Sequence, residues 1–293
     1  MASLADERWI KLFFQANGVL SVLILAGIFG FLFFTGIGAF SKISLAKFFS
    51  FTWNPVSYSQ PQWGILGLLY STLLVTAVAL AIAIPFGVLT ALYLSELASN
   101  TVRELLKPAI ELIASIPSVV LGLIGLLVLS PLVALLFGLP NGLNALTAAI
   151  VVAVMVLPTI ASLCEDIFSS VPNSYRHAST ALGSTKWQTI SRVVVPSSIS
   201  GVFAAVMLGL GRAVGETMAV LMVAGNALAP PSTFLDPARP LTANIAIEIK
   251  EVVFGSTHYQ SLFAMGLVLF LITLLFNVAA EWVLRRHLKK LGL

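Results

Sequence analysis

Cysteine and charged side chains are scarce in this sequence. Only one of its 293 residues is a cysteine, Cys164, so no disulfide can form within the chain and no cysteine-rich metal site is present. Charged residues make up 10% and hydrophobic residues 58% of the sequence, a balance far from that of soluble globular proteins. The apolar residues form runs long enough to cross a bilayer. The sequence therefore predicts an all-α integral membrane protein that contacts membrane lipid over much of its surface.

Motifs of enzymes and of nucleotide-binding proteins are missing as well. The sequence has no G-x-x-x-x-G-K-[ST] phosphate loop, no H-E-x-x-H metal motif and no G-x-S-x-G nucleophile motif. Its three histidines, His177, His258 and His287, lie in loops outside the apolar runs, and no second aspartate accompanies Asp166 near the membrane. We therefore predict that the chain is not an enzyme, has no ATPase site, and binds no metal or cofactor itself.

Two further classes of protein are disfavoured. The net charge is +4, but the Lys and Arg residues are scattered in short stretches and form no basic stripe, so no nucleic-acid partner is expected. A secondary transporter would typically show repeated halves with paired broken helices, and the sequence has no such internal repeat.

Six apolar segments have the length of a membrane crossing. The first is longer than the core of a secretory signal, so we interpret it as a retained anchor helix. Pro85, Pro117 and Pro131 predict bends or breaks in the second and third segments. We expect an N-terminal anchor with its external loop at 1–63 and a transmembrane domain at 64–293. The six predicted spans are 17–39, 66–95, 109–137, 144–166, 199–226 and 260–284.

The distribution of Lys and Arg predicts the orientation of these spans, because cationic residues beside the spans tend to stay on the cytoplasmic side. Both termini are therefore expected in the cytoplasm. One set of alternate loops holds Arg8, Lys11, Arg103, Lys107, Arg176, Lys186, Arg192, Arg285, Arg286, Lys289 and Lys290, and the other holds only Lys42, Lys47, Arg239 and Lys250.

Two longer segments then face outward. In 40–65, Trp53, Tyr58 and Trp63 are placed where aromatic rings anchor a chain at the membrane interface. In 227–259, apolar residues at helical spacing predict a short surface helix, although Ile245, Ile247 and Ile249 also alternate as in a strand.

The fifth apolar run carries two charges. In the stretch 209–220, Arg212 and Glu216 are four residues apart, which places them on one face of a continuous helix. An ionisable residue at membrane depth marks a transport pathway by default, and arginine suits recognition of an oxyanion. The other interpretation is a self-neutralising pair that only holds helices together. Three hydroxyls are further candidates for the pathway, although such groups often bond to their own backbone: Ser115, Ser118 and Thr217.

The longest predicted cytoplasmic loop, 167–198, has the features of two short helices. Asn173 or Ser174 can cap the first, Gly183 tolerates a left-handed backbone at its end, and Thr185 can begin the second. Composition alone leaves open whether this hairpin is a plain surface feature or a docking element for a partner.

This loop resembles the "EAA" loop of ABC importer permeases, in which E-A-A, three residues, Gly and nine residues precede I-x-L-P. Two residues depart from the motif, because His177 replaces its Glu and Ser179 its second Ala. By resemblance, residues 174–187 form the coupling helix that docks on the ATPase subunit. The matching positions are His177, Ala178, Ser179, Gly183, Val193, Val195 and Pro196, and the coupling residues implied include Leu182, Lys186 and Trp187.

Two strings resemble the phosphate-specific branch of these permeases, and its PstC-type subunits in particular. They are G-R-A-V-G-E-T-M-A-V at 211–220 and I-A-S-I-P-S-V-V-L-G at 113–122, where Leu121 stands in place of a common aromatic residue. The resemblance implies a type I importer core, MetI-like, with six transmembrane helices in a bacterial inner membrane. It implies phosphate as cargo, with another oxyanion such as molybdate or sulfate as the alternative. The partners implied are a homologous PstA-type permease, two cytoplasmic ATPase subunits that use ATP and Mg, and an extracytoplasmic phosphate-binding protein.

Overall fold

The structure is a computed structural model that describes residues 4–57 and 60–291. Within these ranges the chain is almost entirely helical, with one two-stranded antiparallel hairpin of β1 (Trp53–Asn54) and β2 (Gln62–Trp63). The helices in chain order are α1 (Leu4–Ile37), α2 (Leu45–Phe48), α3 (Leu66–Leu92), α4 (Asn100–Ser115), α5 (Ser118–Ile124), α6 (Ser130–Phe137), α7 (Ala145–Ser170), α8 (Asn173–Ala181), α9 (Lys186–Thr189), α10 (Val195–Ser197), α11 (Ile199–Gly215), α12 (Met218–Val223), α13 (Leu241–Glu248) and α14 (Thr257–Leu291).

Most of the predicted spans are confirmed as helices of membrane-crossing length. In the described ranges, five helical stretches are long and apolar enough to cross a membrane. A sixth crossing results if the stretch Lys186–Ser197 and α11, which meet at a bend of 68°, are counted as one span. The five stretches are Trp9–Ser41, Leu66–Leu97, Ser118–Phe137, Ala145–Ser170 and Thr257–Arg286.

The third span begins later than predicted. Pro117 does break the helix, as expected. The residues before it belong to α4, a strongly amphipathic helix that has no buried residue. The membrane-crossing stretch starts only at Ser118. Hydrophobicity alone could not separate the two, because the apolar face of α4 continues into the apolar run of α5.

The other two prolines do not interrupt the helices. The α3 helix continues through Pro85, and Pro131 lies in the first turn of α6, where proline is tolerated because no helical partner for its nitrogen is needed. The irregular points are instead three π turns, at Tyr93–Leu97, Gly125–Leu129 and Ile190–Val194.

The main core lies where α3, α7 and α11 meet. Ile160 of α7 is fully buried there between two glycines, Gly87 of α3 and Gly209 of α11. A Cβ atom at Gly209 would lie 2.8 Å from the Ile160 side chain, and one at Gly87 would lie 2.9 Å from it. Gly211 and Gly215, the other two glycines at this end of α11, have no neighbouring atom within 4 Å of an added Cβ. Only Gly209 of the three therefore serves close packing.

A second core joins the N-terminal segment to the rest of the chain. The α1 helix runs along α14, and Gly36 lies against the backbone of Ala264. This core contains residues from both 1–63 and 64–293, so it does not separate the two proposed domains. The division at residue 63 stays a prediction. The buried members of this core include Ile43, Phe48, Trp53, Ile65, Leu241, Leu262 and Met265.

The two segments predicted to face outward are less exposed than expected. Trp53 is 1% exposed, so it is a core residue and not an exposed interfacial anchor. Trp63 is partly buried beside it, and Tyr58 lies outside the described residues. The predicted helix in 227–259 is present as α13, but its first four residues, 241–244, are buried against the bundle. The alternation of isoleucines in this segment does not form a strand.

We call the end of the bundle that carries α4 and α8–α10 the hairpin end, and the opposite end, which carries β1, β2 and α13, the far end. The α4 helix and α8 are at the same end because both follow or contact the end of α7. This arrangement places the two groups of predicted functional residues, 174–187 and 212–217, at different depths of the bundle.

Candidate functional site

Arg212 and Glu216 do not lie on one helical face, which corrects the sequence-based expectation. The α11 helix ends at Gly215, and Glu216 has an extended backbone. Its carboxylate accepts a hydrogen bond from the amide of Ala219 at 3.1 Å, at the start of α12. Among the ion pairs of the described residues, none joins Arg212 to Glu216. A self-neutralising pair is therefore not the reason for these two charges.

Packing of α12 explains the break. In α12, Ala219 lies against Gly122 of α5, where an added Cβ would be only 2.9 Å from the Ala219 Cα. The hydroxyl of Thr242 in α13 donates to the backbone carbonyl of Glu216 at 3.0 Å, which satisfies a group that the broken helix leaves free. Contacts from α5 and α13 thus hold the chain in two helices where the sequence predicts one.

Arg212 instead makes its contact with α7. Its Nη1 donates to the hydroxyl of Thr159 at 2.5 Å. A guanidinium has five N–H donors, and this is its one hydrogen bond to another described residue. The half-buried side chain lines a cavity of about 740 Å³ between α7, α11 and α14, with the polar side chains of Asn277 and Glu281 on the α14 side. Arg212 therefore has unused donors beside an open space large enough for a small anion. Most of the lining is apolar, and its one acidic side chain, Glu281, is paired with Arg285.

The predicted hydroxyls are not gathered around Arg212. Ser115 is exposed in the last turn of α4 and donates to the carbonyl of Leu112 at 2.7 Å. Thr217 donates to the carbonyl of Gly215 at 3.1 Å. Ser118 begins α5, which packs beside α12. Of the five predicted pathway residues, only Arg212 lines the cavity.

The hairpin of residues 173–189 is built as the sequence predicts, with one exception. Thr185 caps α9 in a capping box with Gln188, and Gly183 has φ +82°, the left-handed conformation. The first helix begins differently, because Pro172 precedes it and neither Asn173 nor Ser174 caps it with a side chain.

This hairpin presents large side chains away from the bundle. No residue of α8 is buried. Leu182 is 88% exposed and Trp187 67% exposed, and His177, Ala178, Gly183 and Lys186 are exposed as well. Ser179 is half-buried, and its hydroxyl shares a 2.9 Å hydrogen bond with that of Thr189. Exposed Tyr175, Leu182 and Trp187 on this otherwise polar hairpin have the character of a protein contact surface.

Sequence reasoning missed an ion pair that attaches this hairpin to the bundle. Arg176 donates to Glu96, in the π turn that ends α3, at 2.6 Å. Arg176 was counted only as a signal of orientation, and Glu96 was not singled out. The two residues are 80 positions apart, so no local pattern reveals the pair.

A second missed group is a charge cluster between α4 and α7. The carboxylate of Glu165 is 1% exposed and contacts both Arg103 and Lys107, the latter at 2.6 Å. Lys107 also contacts Asp166 at 2.6 Å. Hydrogen bonds to Asp166 and then to Glu165 raise the pKa of Lys107 above its usual value. The cluster fixes the amphipathic α4 to the end of α7.

A third cluster lies at the far end, around Glu248 of α13. Its carboxylate accepts hydrogen bonds from the indole of Trp53 at 2.9 Å and from Nε2 of His258 at 2.7 Å. Arg239 lies 3.5 Å away, and burial lowers the pKa of Arg239. His258, expected in a loop, is in the first turn of α14. These contacts join β1, α13 and α14, so this cluster holds the elements of the far end together.

Comparison with known proteins identifies a family for this chain. Residues 83–290 match the family model of the binding-protein-dependent transport system inner membrane component. The chain belongs to this family. As a binding-protein-dependent inner membrane component it is a multi-pass membrane protein and a transport subunit.

Relatives within this family are similar over most of their length. The chain is 40% identical over 238 residues to the probable ABC transporter permease protein YqgH of Bacillus subtilis, covering 81% of this chain and 77% of that protein. It is 36% identical over 291 residues to the phosphate transport system permease protein PstC of Mesorhizobium japonicum, covering 93% and 88%.

A solved structure confirms the fold of this inner membrane component. A chain of a bacterial alginate ABC transporter, crystallised with its alginate-bound periplasmic protein, aligns with a TM-score of 0.64 at 15% identity. The alignment covers 96% of both chains. The expected ABC importer permease fold, with up to six membrane spans, is therefore correct.

Proposed function

We propose that this chain is the PstC-type permease subunit of an ATP-driven importer and moves inorganic phosphate across the bacterial inner membrane. The names of its relatives support the cargo, since a protein 36% identical over almost the full chain is a phosphate transport system permease. The single structural observation that carries the proposal is Arg212, a half-buried cation with free donors beside a cavity. A planar guanidinium matches the oxygens of a phosphate in geometry and charge.

Arg212, Glu216 and Thr217 have different roles in this proposal. Arg212 attracts the anion at membrane depth, where an unpaired cation is costly and is retained for function. Glu216 and Thr217 mark the break between α11 and α12, which is the point where the pathway can change shape. Ser118 begins the neighbouring helix α5, whereas Ser115 lies nearer the hairpin end and has only an accessory position.

In this proposal, partner subunits supply the other functions of the transporter. In this proposal the hairpin at 174–187 docks on one of two cytoplasmic ATPase subunits, which bind ATP and Mg, while this chain binds no cofactor. A homologous PstA-type permease completes the pathway, and an extracytoplasmic binding protein delivers phosphate. Both termini and the hairpin end then face the cytoplasm, and residues 64–293 form the transmembrane domain.

The test is uptake of labelled phosphate, sulfate and molybdate by cells that co-express the chain with its ATPase, partner permease and binding protein. We expect phosphate uptake in the intact complex and none with Arg212→Ala, although the variant still assembles with its ATPase. Lys11→Ala is the control, because it removes an exposed cation that does not line the cavity. Unchanged uptake by Arg212→Ala would refute the role of Arg212, and preferential uptake of sulfate or molybdate would refute the cargo.

A further inference from the structure

Arg176 is placed to connect the exposed hairpin to two membrane helices at once. Its Nη2 donates to the Glu96 carboxylate at 2.6 Å and to the backbone carbonyl of Phe168 at 2.8 Å. Its Nε donates to Glu96 at 3.2 Å, and its Nη1 to the carbonyl of Val171. One guanidinium therefore binds the end of α3, through Glu96, and the end of α7, through the two carbonyls.

Few other contacts hold α8 to the bundle. None of its residues is buried, so apolar packing contributes little to its position. Its backbone packs mainly against α9 and the π turn Ile190–Val194, which belong to the same loop. Its other hydrogen-bonded side chain that reaches beyond the helix is Ser179, which bonds to Thr189. Apart from the two-residue connection between α7 and α8, Arg176 is thus the principal direct link from α8 to the bundle within the described residues, and its contact with α3 is one that no chain connection supplies.

The link is partly shielded from water. The side chain of Glu96 is 7% exposed and that of Arg176 is 20% exposed. Surface ion pairs contribute little because water and salt screen them, whereas a desolvated pair is costly to break by removing one partner. The Arg176–Glu96 pair belongs with the desolvated pairs, so α8 cannot shift relative to α3 without disturbing it.

The two helices that Arg176 binds also form the centre of the bundle. The α3 and α7 helices pack against each other along their lengths, and α7 carries Thr159, the partner of Arg212. Thr159 and Phe168 are nine residues apart on α7, about 14 Å along a helix with a rise of 1.5 Å per residue. A displacement of α8 that pulls on Phe168 therefore acts on the same rigid helix that holds Arg212.

We propose that Arg176 and Glu96 form the positioning link through which movement of α8 reaches α3 and α7, and so couples ATP hydrolysis to transport. The proposal rests on the proposed function, because it needs α8 to be moved by an ATPase. It adds that the coupling depends on a particular ion pair behind the docking surface, not only on the surface residues of the hairpin.

The experiment measures ATP hydrolysed and phosphate taken up in proteoliposomes that contain the complete transporter. The variants are Arg176→Gln, Glu96→Gln, the double variant and Arg176→Lys. We expect both single glutamine variants to raise the ATP consumed per phosphate on the order of tenfold, within the range typical of coupling between two sites. The double variant should be no worse than either single variant, since both remove one interaction. Arg176→Lys should be intermediate, because a lysine keeps the charge but cannot also reach the carbonyls of α7.

Glu96→Gln separates coupling from docking. Glu96 lies outside α8, so this substitution leaves the docking surface unaltered, and the variant should bind its ATPase as the wild type does. Asp166→Asn is the control, because it removes an ion pair of a largely exposed carboxylate at the same end of the bundle and should keep the wild-type ratio. An unchanged ATP-to-phosphate ratio in Glu96→Gln would overturn the proposal, and so would loss of ATPase binding in that variant. If the wild-type complex transports no phosphate, the proposed function itself fails, which is a different result.

Discussion

The contact between Gly209 and Ile160 yields a sharp prediction about how the membrane helices are held together. Gly209→Ala places a methyl group 2.8 Å from two atoms of Ile160 and 3.1 Å from Val156. Ile160 cannot move aside easily, because it is fully buried and its other face lies against Gly87. We therefore expect α11 to be pushed away from α7.

The size of the effect follows from two opposing terms. Adding a methylene-sized group to a packed core costs about 1–3 kcal/mol. Replacing a mid-helix glycine by alanine contributes roughly 0.5–1 kcal/mol in the other direction. Gly211→Ala is the matched control on the same helix, because its Cβ would meet no atom within 4 Å and only the second term applies. The difference between the two variants, about 1–3 kcal/mol, then isolates the packing term.

The assay is thermal unfolding of the purified chain in one detergent, where each kcal/mol corresponds to about 2–4 °C in a protein of roughly this size. Gly209→Ala should have a lower Tm than Gly211→Ala. In an Ile160→Ala background, which creates space at the contact, Gly209→Ala should no longer lower the Tm. Equal Tm values for the two glycine variants, or an undiminished penalty in the Ile160→Ala background, would refute the packing argument.

Two further predictions concern the hairpin end. Glu165→Gln should lower the free energy of unfolding by about 1–2 kcal/mol, less than for a fully buried pair because Arg103 and Lys107 keep partial access to water. Glu281→Gln, which removes an exposed pair, should change it by less than about 0.5 kcal/mol, and equal effects in denaturation assays would contradict this reading. Gly183→Ala should lower the free energy of unfolding by roughly 1–2 kcal/mol, because φ is +82° and no steric neighbour contributes. Gly183→Asn should lower it less. An unchanged Tm for the alanine variant would disprove the backbone strain.

Local features of the candidate site were predictable because they depend on residues that are close in the chain. The capping of α9 by Thr185 and the left-handed Gly183 each involve a span of about three residues, and both predictions are confirmed. The apolar residues around Arg212 predict a position at membrane depth, which stays a prediction. The roles of Arg212 and of the hairpin in transport stay predictions.

The contacts of the site were not predictable from the same patterns. Arg212 meets Thr159, 53 residues away, and Arg176 meets Glu96, 80 residues away. Such pairs depend on how each helix is rotated about its axis, and hydrophobic spans that are apolar on all sides carry no signal of their rotation. The break at Glu216 was missed for a related reason, since contacts from α5 and α13 cause it.

The sequence by itself determined the class of protein, the approximate spans and the hairpin, because hydropathy and capping act over one helix or one turn. The tertiary structure decided where α4 ends and the third span begins, that Arg212 and Glu216 are separate, and that Trp53 is a core residue. It also decided which charges meet. The physical reason is that burial and ion pairing depend on neighbours from distant parts of the chain, and the packing of helices alone brings these together.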